Sequence, residues 1–245
     1  MNMEVINSNF NIFFSPILNL RESIFNLENE LASFFPKPFG LIPLPNEAPL
    51  EIPRITATSH HGYSNLNISL NSAQFSTKFD ENFSNDWNKC SDYIYQHVSK
   101  IYSILKARFN DKPLYCGLTI NFLHKIDSSN AIDLMINNFI KNKSSIRPYD
   151  IVNKNTYVIE DNYYLNLQIQ NQRLEKDQNF FIGHLSDFEK LNLLAVSLDI
   201  NDRYGFNYIP GYFSGFNKID RIFQLTNEYV IKKLENFIIE GEFVL

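Results

Sequence analysis

The sequence predicts an α+β fold: an antiparallel sheet, or two related sheets, with each half of the chain ending in a long amphipathic helix packed on the sheet. Three observations carry this expectation. Alternating apolar runs occur in both halves, turn residues separate several of them, and each half closes on a stripe of helical period. The 245 residues divide into segment 1–112 and segment 113–245. The first holds an N-terminal helix, a proline-rich arm, a β-hairpin and a long helix; the second holds antiparallel strands, a short helix and a closing long helix. The two can form one compact unit, and they share a plan without sharing measurable sequence identity.

Taken in order, Ser15 and Pro16 make a helix start, a cap followed by a first-turn proline. Ile17, Leu20, Ile24, Leu27, Leu31 and Phe34 follow at steps of three and four. Pro36, Pro38, Pro43, Pro45, Pro49 and Pro53 then fix an extended arm that can be neither helix nor central strand. Its Phe39, Leu41, Ile42, Leu44 and Ile52 are too apolar for a free linker, so the arm is expected to lie flat on the core. Tyr63 to Leu70 and Phe75 to Phe79 alternate across an Asn71-Ser72 turn, a hairpin pattern. Ser84 is expected to cap a helix running to about Phe109, with Trp87, Cys90, Ile94, Val98, Ile101 and Leu105 on one stripe, stopped by Asn110-Asp111-Lys112-Pro113.

Leu114 to Ile126 is the clearest strand, and a short helix is expected from Ala131 to about Lys141. A second hairpin joins Thr156–Ile159 to Tyr163–Ile169 across Glu160-Asp161-Asn162. Leu194 to Ile200 alternates again, and after a Gly- and Tyr-rich loop from Gly205 to Gly215 a last helix runs from Phe216 to about Ile239.

Composition bounds the function. At 44% hydrophobic and 15% aromatic, with 22 Phe and 13 Tyr, the chain can bury a sizeable core and is not a disordered protein. A net charge of −5 gives no bulk positive field, so nucleic acid is an unlikely partner. The 32 asparagines are scattered and read as a low-GC coding habit. Cys90 and Cys116 stand far apart with no CxxC pair, which argues against a cysteine zinc site or a disulfide scaffold. There is no run of 18 apolar residues and no convincing signal peptide, so no membrane association is expected and the cytoplasm is the expected location.

No phosphate loop, nucleophile elbow or HExxH motif occurs, and no cofactor or metal is expected. His60 and His61 precede Gly62, and adjacent histidines on a strand point to opposite faces, which suits loop residues better than joint metal ligation. Asp199 and Asp202 lie at a strand end, read as solvent-facing, where strand alternation separates their carboxylates. Glu51 and Arg54 flank Pro53 and read as a structural ion pair. The remaining cluster is Tyr204, Phe206, Tyr208, Tyr212, Phe213 and Phe216 on the glycine-bordered loop, either a recognition surface or a satellite core.

The order of parts resembles a sporadically distributed, functionally uncharacterised family of bacterial proteins of about this length. The resemblance rests on Leu44-Pro45-Asn46-Glu47-Ala48-Pro49-Leu50 and on Ser72-Ala73-Gln74-Phe75 leading into the Trp87 helix. It rests also on the Leu118–Phe122 strand and on Leu198-Asp199-Ile200-Asn201 followed by the last helix. It carries over no catalytic residues, and it implies a distribution typical of mobile or defence-associated genes. The first functional expectation is therefore a non-enzymatic protein-binding or sensing component of a bacterial defence or toxin-antitoxin type system, with a protein partner and possible homodimer formation. One rival is a hydrolase or nuclease-like enzyme using His60 or His61 with Asp199 or Asp202. The other is a small-ligand-binding protein with a cavity between sheet and helix.

Overall fold

The structure is a computed structural model that describes residues 3–45, 47–107, 113–126, 130–140, 145–172 and 193–241. Alternation of apolar and polar residues draws these into one nine-stranded antiparallel sheet. The strands are β1 (Met3–Phe13), β2 (Gly40–Leu41), β3 (Ile55–Thr58), β4 (Ser64–Ile68), β5 (Ser72–Lys78), β6 (Tyr115–Lys125), β7 (Val152–Ile159), β8 (Tyr163–Gln172) and β9 (Leu193–Asn201). Their spatial order is β2-β3-β4-β5-β1-β6-β9-β8-β7. Outward from the central β1–β6 pair, each half places its first strand inside and then its hairpin strands in reverse order. The repeated plan of the sequence is thus built around one continuous sheet rather than two.

The central strand β1 was not expected from the sequence, and the reason lies in its register. Val5 pairs with Phe122 but Asn7 pairs with Asn121, so Ile6 is a bulge residue. Parity flips there: Met3 and Val5 are buried before the bulge, and Ser8, Phe10 and Ile12 after it. Period-two alternation therefore breaks in the middle of the strand, and its Asn and Ser residues lower its apparent β-propensity.

The helices are α1 (Ile24–Glu30, after a 3-10 turn at Leu20–Ser23), α2 (Glu81–Ser84), α3 (Trp87–Lys106), α4 (Ala131–Phe139), α5 (Arg203–Tyr208), α6 (Phe216–Glu228) and α7 (Leu234–Glu240). Where one cap at Ser84 was expected, two aspartates act. Asp80 accepts from Asn82 N at 3.0 Å to start α2, and Asp86 accepts from Lys89 N at 3.3 Å to start α3. The expected stop of this helix at Phe109–Lys112 and the expected end of α4 at Lys141 lie outside the described residues. A π-helical turn at Tyr229–Lys233 joins α6 to α7.

Helices α3 and α6 lie against each other over the same sheet face. Trp87 Nε1 and Ser91 Oγ both donate to Asn227 Oδ1, at 2.8 and 3.0 Å, and Tyr95 Oη donates to Asp220 at 2.8 Å. Beneath them Phe10, Ile12, Leu118, Ile120, Leu165, Leu198 and Ile200 form the buried floor. The opposite sheet face is polar. One row crosses it as Thr58, Asn65, Ser76, Asn9, Thr119, Asp199, Asn166 and Thr156. Three of the eight residues in this row are asparagines, Asn9, Asn65 and Asn166.

The proline-rich arm is ordered but sits further out than expected. Phe39 is buried, whereas Leu41 and Ile52 are exposed and Leu44 is only half-buried. The arm is held by its backbone: Arg21 donates to the carbonyls of Ile42 and Leu44, and Ile42 N donates to Arg54 O at 2.9 Å. Truncating Ile52 to Ala should consequently cost under about 1 kcal/mol rather than a core-sized penalty.

Glu160 and Asp161 turn the β7–β8 hairpin with φ of 52° and 48°, the left-handed pair of a type I′ turn. Glycine is favoured at the second position, and Asp161→Gly is expected to raise stability by about 0.5–1 kcal/mol, read as a higher urea midpoint at unchanged slope.

Candidate functional site

A concavity of about 680 Å³ opens at one side of the first half, between the β4–β5 hairpin and helix α3. Four pieces of chain line it. Ser33 and Phe34 come from the turn after α1, Ser59 to Tyr63 from the β3–β4 turn, Thr77 to Phe83 from the end of β5 into α2, and Tyr93 and His97 from one face of α3. Those last two are spaced i, i+4, so they lie on one helical stripe.

The β3–β4 turn is shaped by Gly62, whose φ of 74° closes it, and by Ser59, whose hydroxyl accepts from Ser64 N at 3.0 Å. This leaves His60, His61 and Tyr63 exposed at the rim. Deeper in, Tyr93 Oη lies 2.8 Å from Ser64 Oγ, which lies 2.9 Å from Thr77 Oγ1. The walls are aromatic: Phe79, Phe83 and Tyr93 pack with centroids 6.0 to 6.4 Å apart.

His97 forms the floor. It is buried, with its ring 4.2 Å from Phe34, 5.2 Å from Phe75 and 4.1 Å from Tyr93. Its Nδ1 is 2.8 Å from the Tyr93 carbonyl, an acceptor only, so Nδ1 carries the hydrogen. Burial pushes its pKa below the ordinary histidine value, which keeps the ring neutral at pH 7 and makes Nε2 an acceptor. Nε2 has no hydrogen-bond partner among the described residues.

The residues singled out from sequence are distributed unevenly. His60 and His61 do lie in this pocket, but Asp199 and Asp202 do not. Strands β5, β1 and β6 separate β4 from β9, roughly 19 Å at the usual inter-strand spacing. Asp199 sits on the polar sheet face, accepting from Thr119 Oγ1, Asn166 Nδ2 and Asn201 Nδ2 at 2.7 to 2.9 Å. Asp202, expected at a solvent-facing strand end, is fully buried. It accepts from Cys116 N at 2.6 Å and Tyr212 Oη at 2.8 Å. The carboxylate that does share the pocket with the histidines is Asp80, and its oxygens face Asn82 N and Asn82 Nδ2. His60 and His61 make no side-chain hydrogen bond to it. Sequence reasoning missed Asp80, Tyr93 and His97 as pocket residues because the pocket joins segments far apart in the chain. The one available signal was the Tyr93–His97 spacing on α3.

The aromatic cluster is split. Arg203 to Tyr208 is the short helix α5 rather than loop, and Tyr204 and Tyr208 pack with tilted rings 4.6 Å apart. Phe206 packs at 5.3 Å on Tyr115, which stacks at 4.4 Å on Phe13. Tyr212 is structural: its ring lies over Gly205, where an added Cβ would come within 2.5 Å of it, and its hydroxyl binds Asp202. That glycine therefore serves packing, and Gly211 serves a turn at φ 73°. Tyr208, at 64% exposure, and Phe213, at 48%, remain on the surface, with Phe206 and Phe216 about one-third exposed.

Both cysteines are free and buried, and burial pushes the Cys90 thiol up to about 12 and the Cys116 thiol well above its ordinary value. Among the described residues no group of three or more His, Cys, Asp or Glu is placed to hold a metal, and no helix is long and apolar enough to cross a membrane. Comparison with protein-family models and with curated proteins finds no match to this chain.

Proposed function

We propose that the chain is a non-enzymatic small-molecule-binding protein whose site is the aromatic pocket between the β4–β5 hairpin and α3. The observation that supports this reading best is His97, a buried imidazole whose Nε2 has no partner among the described residues, on the floor of a cavity of ligand size. Aromatic walls with a few convergent polar groups are the ordinary composition of such sites. The histidines at the rim lack the carboxylate partner that acid–base catalysis needs. The resemblance to a functionally uncharacterised family, whose sporadic distribution is typical of mobile or defence-associated genes, adds a context in which ligand occupancy would be sensed and passed to a partner. One- and two-ring aromatic fragments added to the isotopically labelled protein should shift backbone amide signals at residues 33–34, 59–63, 77–83 and 93–97. Shifts elsewhere only, or none, would remove the pocket from consideration.

A second reading, a protein-binding surface at the aromatic end of the sheet, is favoured by the exposure of Tyr208 and Phe213 beside Phe206 and Phe216. If a second copy covers this end, light scattering will give about twice the 28.7 kDa chain mass. Phe213→Ser should return the mass to that of one chain. A monomer at high concentration would leave this end for a different protein.

A further inference from the structure

Among the described residues, the pocket offers its ligand flat aromatic faces, a chain of hydroxyls, an open acceptor at its floor, and His60, His61 and Asp80 at its rim. The hydroxyls of Tyr93, Ser64 and Thr77 share two hydrogen bonds, so one end of that chain keeps a donor while Ser64 is bonded on both sides. His97 Nδ1 is committed to the Tyr93 carbonyl, so at the floor of the pocket Nε2 is the ring atom left to read a ligand. The ring cannot turn to exchange its nitrogens without losing that bond and its packing between Phe34 and Phe75.

We propose that the pocket selects a flat aromatic ring carrying an N–H or O–H group, which stacks within the aromatic walls and donates its hydrogen to His97 Nε2. This rests on the small-molecule reading above and names the ligand's chemistry. A site that hydrogen-bonds its ligand rejects an analogue lacking the donor, because the buried acceptor is then left without water or partner. An organic cation is the competing class, since aromatic faces and the Asp80 carboxylate at the rim would also attract one. The His97 ring favours the neutral donor, because burial disfavours its charged form and leaves a lone pair, which a quaternary ammonium group cannot use for hydrogen bonding.

Two isomers of equal size separate these classes. Ligand-observed magnetic resonance would compare 3-methylindole, which keeps its N–H, with 1-methylindole, which lacks it, and with benzyltrimethylammonium. The expected result is binding of 3-methylindole at least about fivefold tighter than 1-methylindole. The side-chain Nε2 resonance of His97 should move with the first and not with the second. His97→Phe keeps a ring of similar shape and should bring the two isomers to equal affinity. Should that variant fail to fold, the Nε2 resonance of the unaltered protein decides alone. Equal binding of both isomers in the pocket, or tighter binding of the ammonium probe, would overturn the proposed ligand class while leaving the pocket as a binding site. Absence of any pocket binding by all three would overturn the small-molecule reading itself.

Discussion

Arg54→Met is expected to destabilise the protein by about 3 kcal/mol and to release the proline-rich arm. Arg54 is only 2% exposed, and among the described residues the charge has no carboxylate partner. Its guanidinium donates instead to the carbonyls of Ile52 and Ala48 at 3.0 Å and of Pro49 at 3.3 Å. Prolines cannot donate, so a proline-rich segment leaves carbonyl oxygens with few internal donors, and a planar fork of N–H groups answers several at once. Removing it leaves the Ile52 and Ala48 oxygens without their donor, at about 1 to 3 kcal/mol each with strong non-additivity, while Pro49 O keeps the Ile52 N–H at 3.3 Å. Arg54→Lys keeps the charge but not the fork, and should recover less than half of the loss. Limited proteolysis of the native protein reads the same event: cleavage between Ile42 and Pro53 should accelerate in Arg54→Met and remain slow in the parent. An unchanged cleavage rate would mean that the arm is held by its backbone pairing with β3 and by Arg21.

Legibility in the sequence followed the locality of the cause. The hairpins, the β6 strand and helices α3, α4 and α6 were readable because each is specified by period and turn residues within its own window. The expected Glu51–Arg54 ion pair failed because adjacency in sequence says nothing about direction: Arg54 points into the arm, and Glu51 stays at the surface. Strand β1 was hidden by the bulge at Ile6, which switches the buried parity from odd to even residues. The pocket was hidden for a different reason. Its floor residue His97 lies on the apolar stripe of α3, where a histidine reads as a satisfied core side chain, and only the fold shows that one nitrogen is satisfied and the other is not. The aromatic cluster from Tyr204 to Phe216 was visible as composition, but its division into structural Tyr212 and exposed Tyr208 and Phe213 depends on where Asp202 is buried.

Asp202→Ala is the second substitution expected to have a large effect, about 3 kcal/mol at neutral pH, because it orphans three donors from two parts of the chain. Cys116 N comes from β6 and Tyr212 Oη from the loop before α6, with the Ser214 hydroxyl also bonded to the carboxyl. Asp202→Asn retains a carbonyl acceptor of the same shape and should lose less than half as much. The two variants also separate shape from charge through pH. Burial raises the Asp202 pKa above its ordinary value of 3.8, and the hydrogen bonds it accepts oppose this without cancelling it. The fold therefore prefers the protonated carboxyl. That contribution is fully present below the unfolded value and is lost as pH rises through the folded value. The asparagine variant carries no such titration. Its stability deficit against the parent, measured by urea unfolding, should be largest near pH 4 and narrow toward pH 7. A deficit that widens with pH would mean that the ionised carboxylate is the form the fold prefers, and that the donors around Asp202 outweigh its burial.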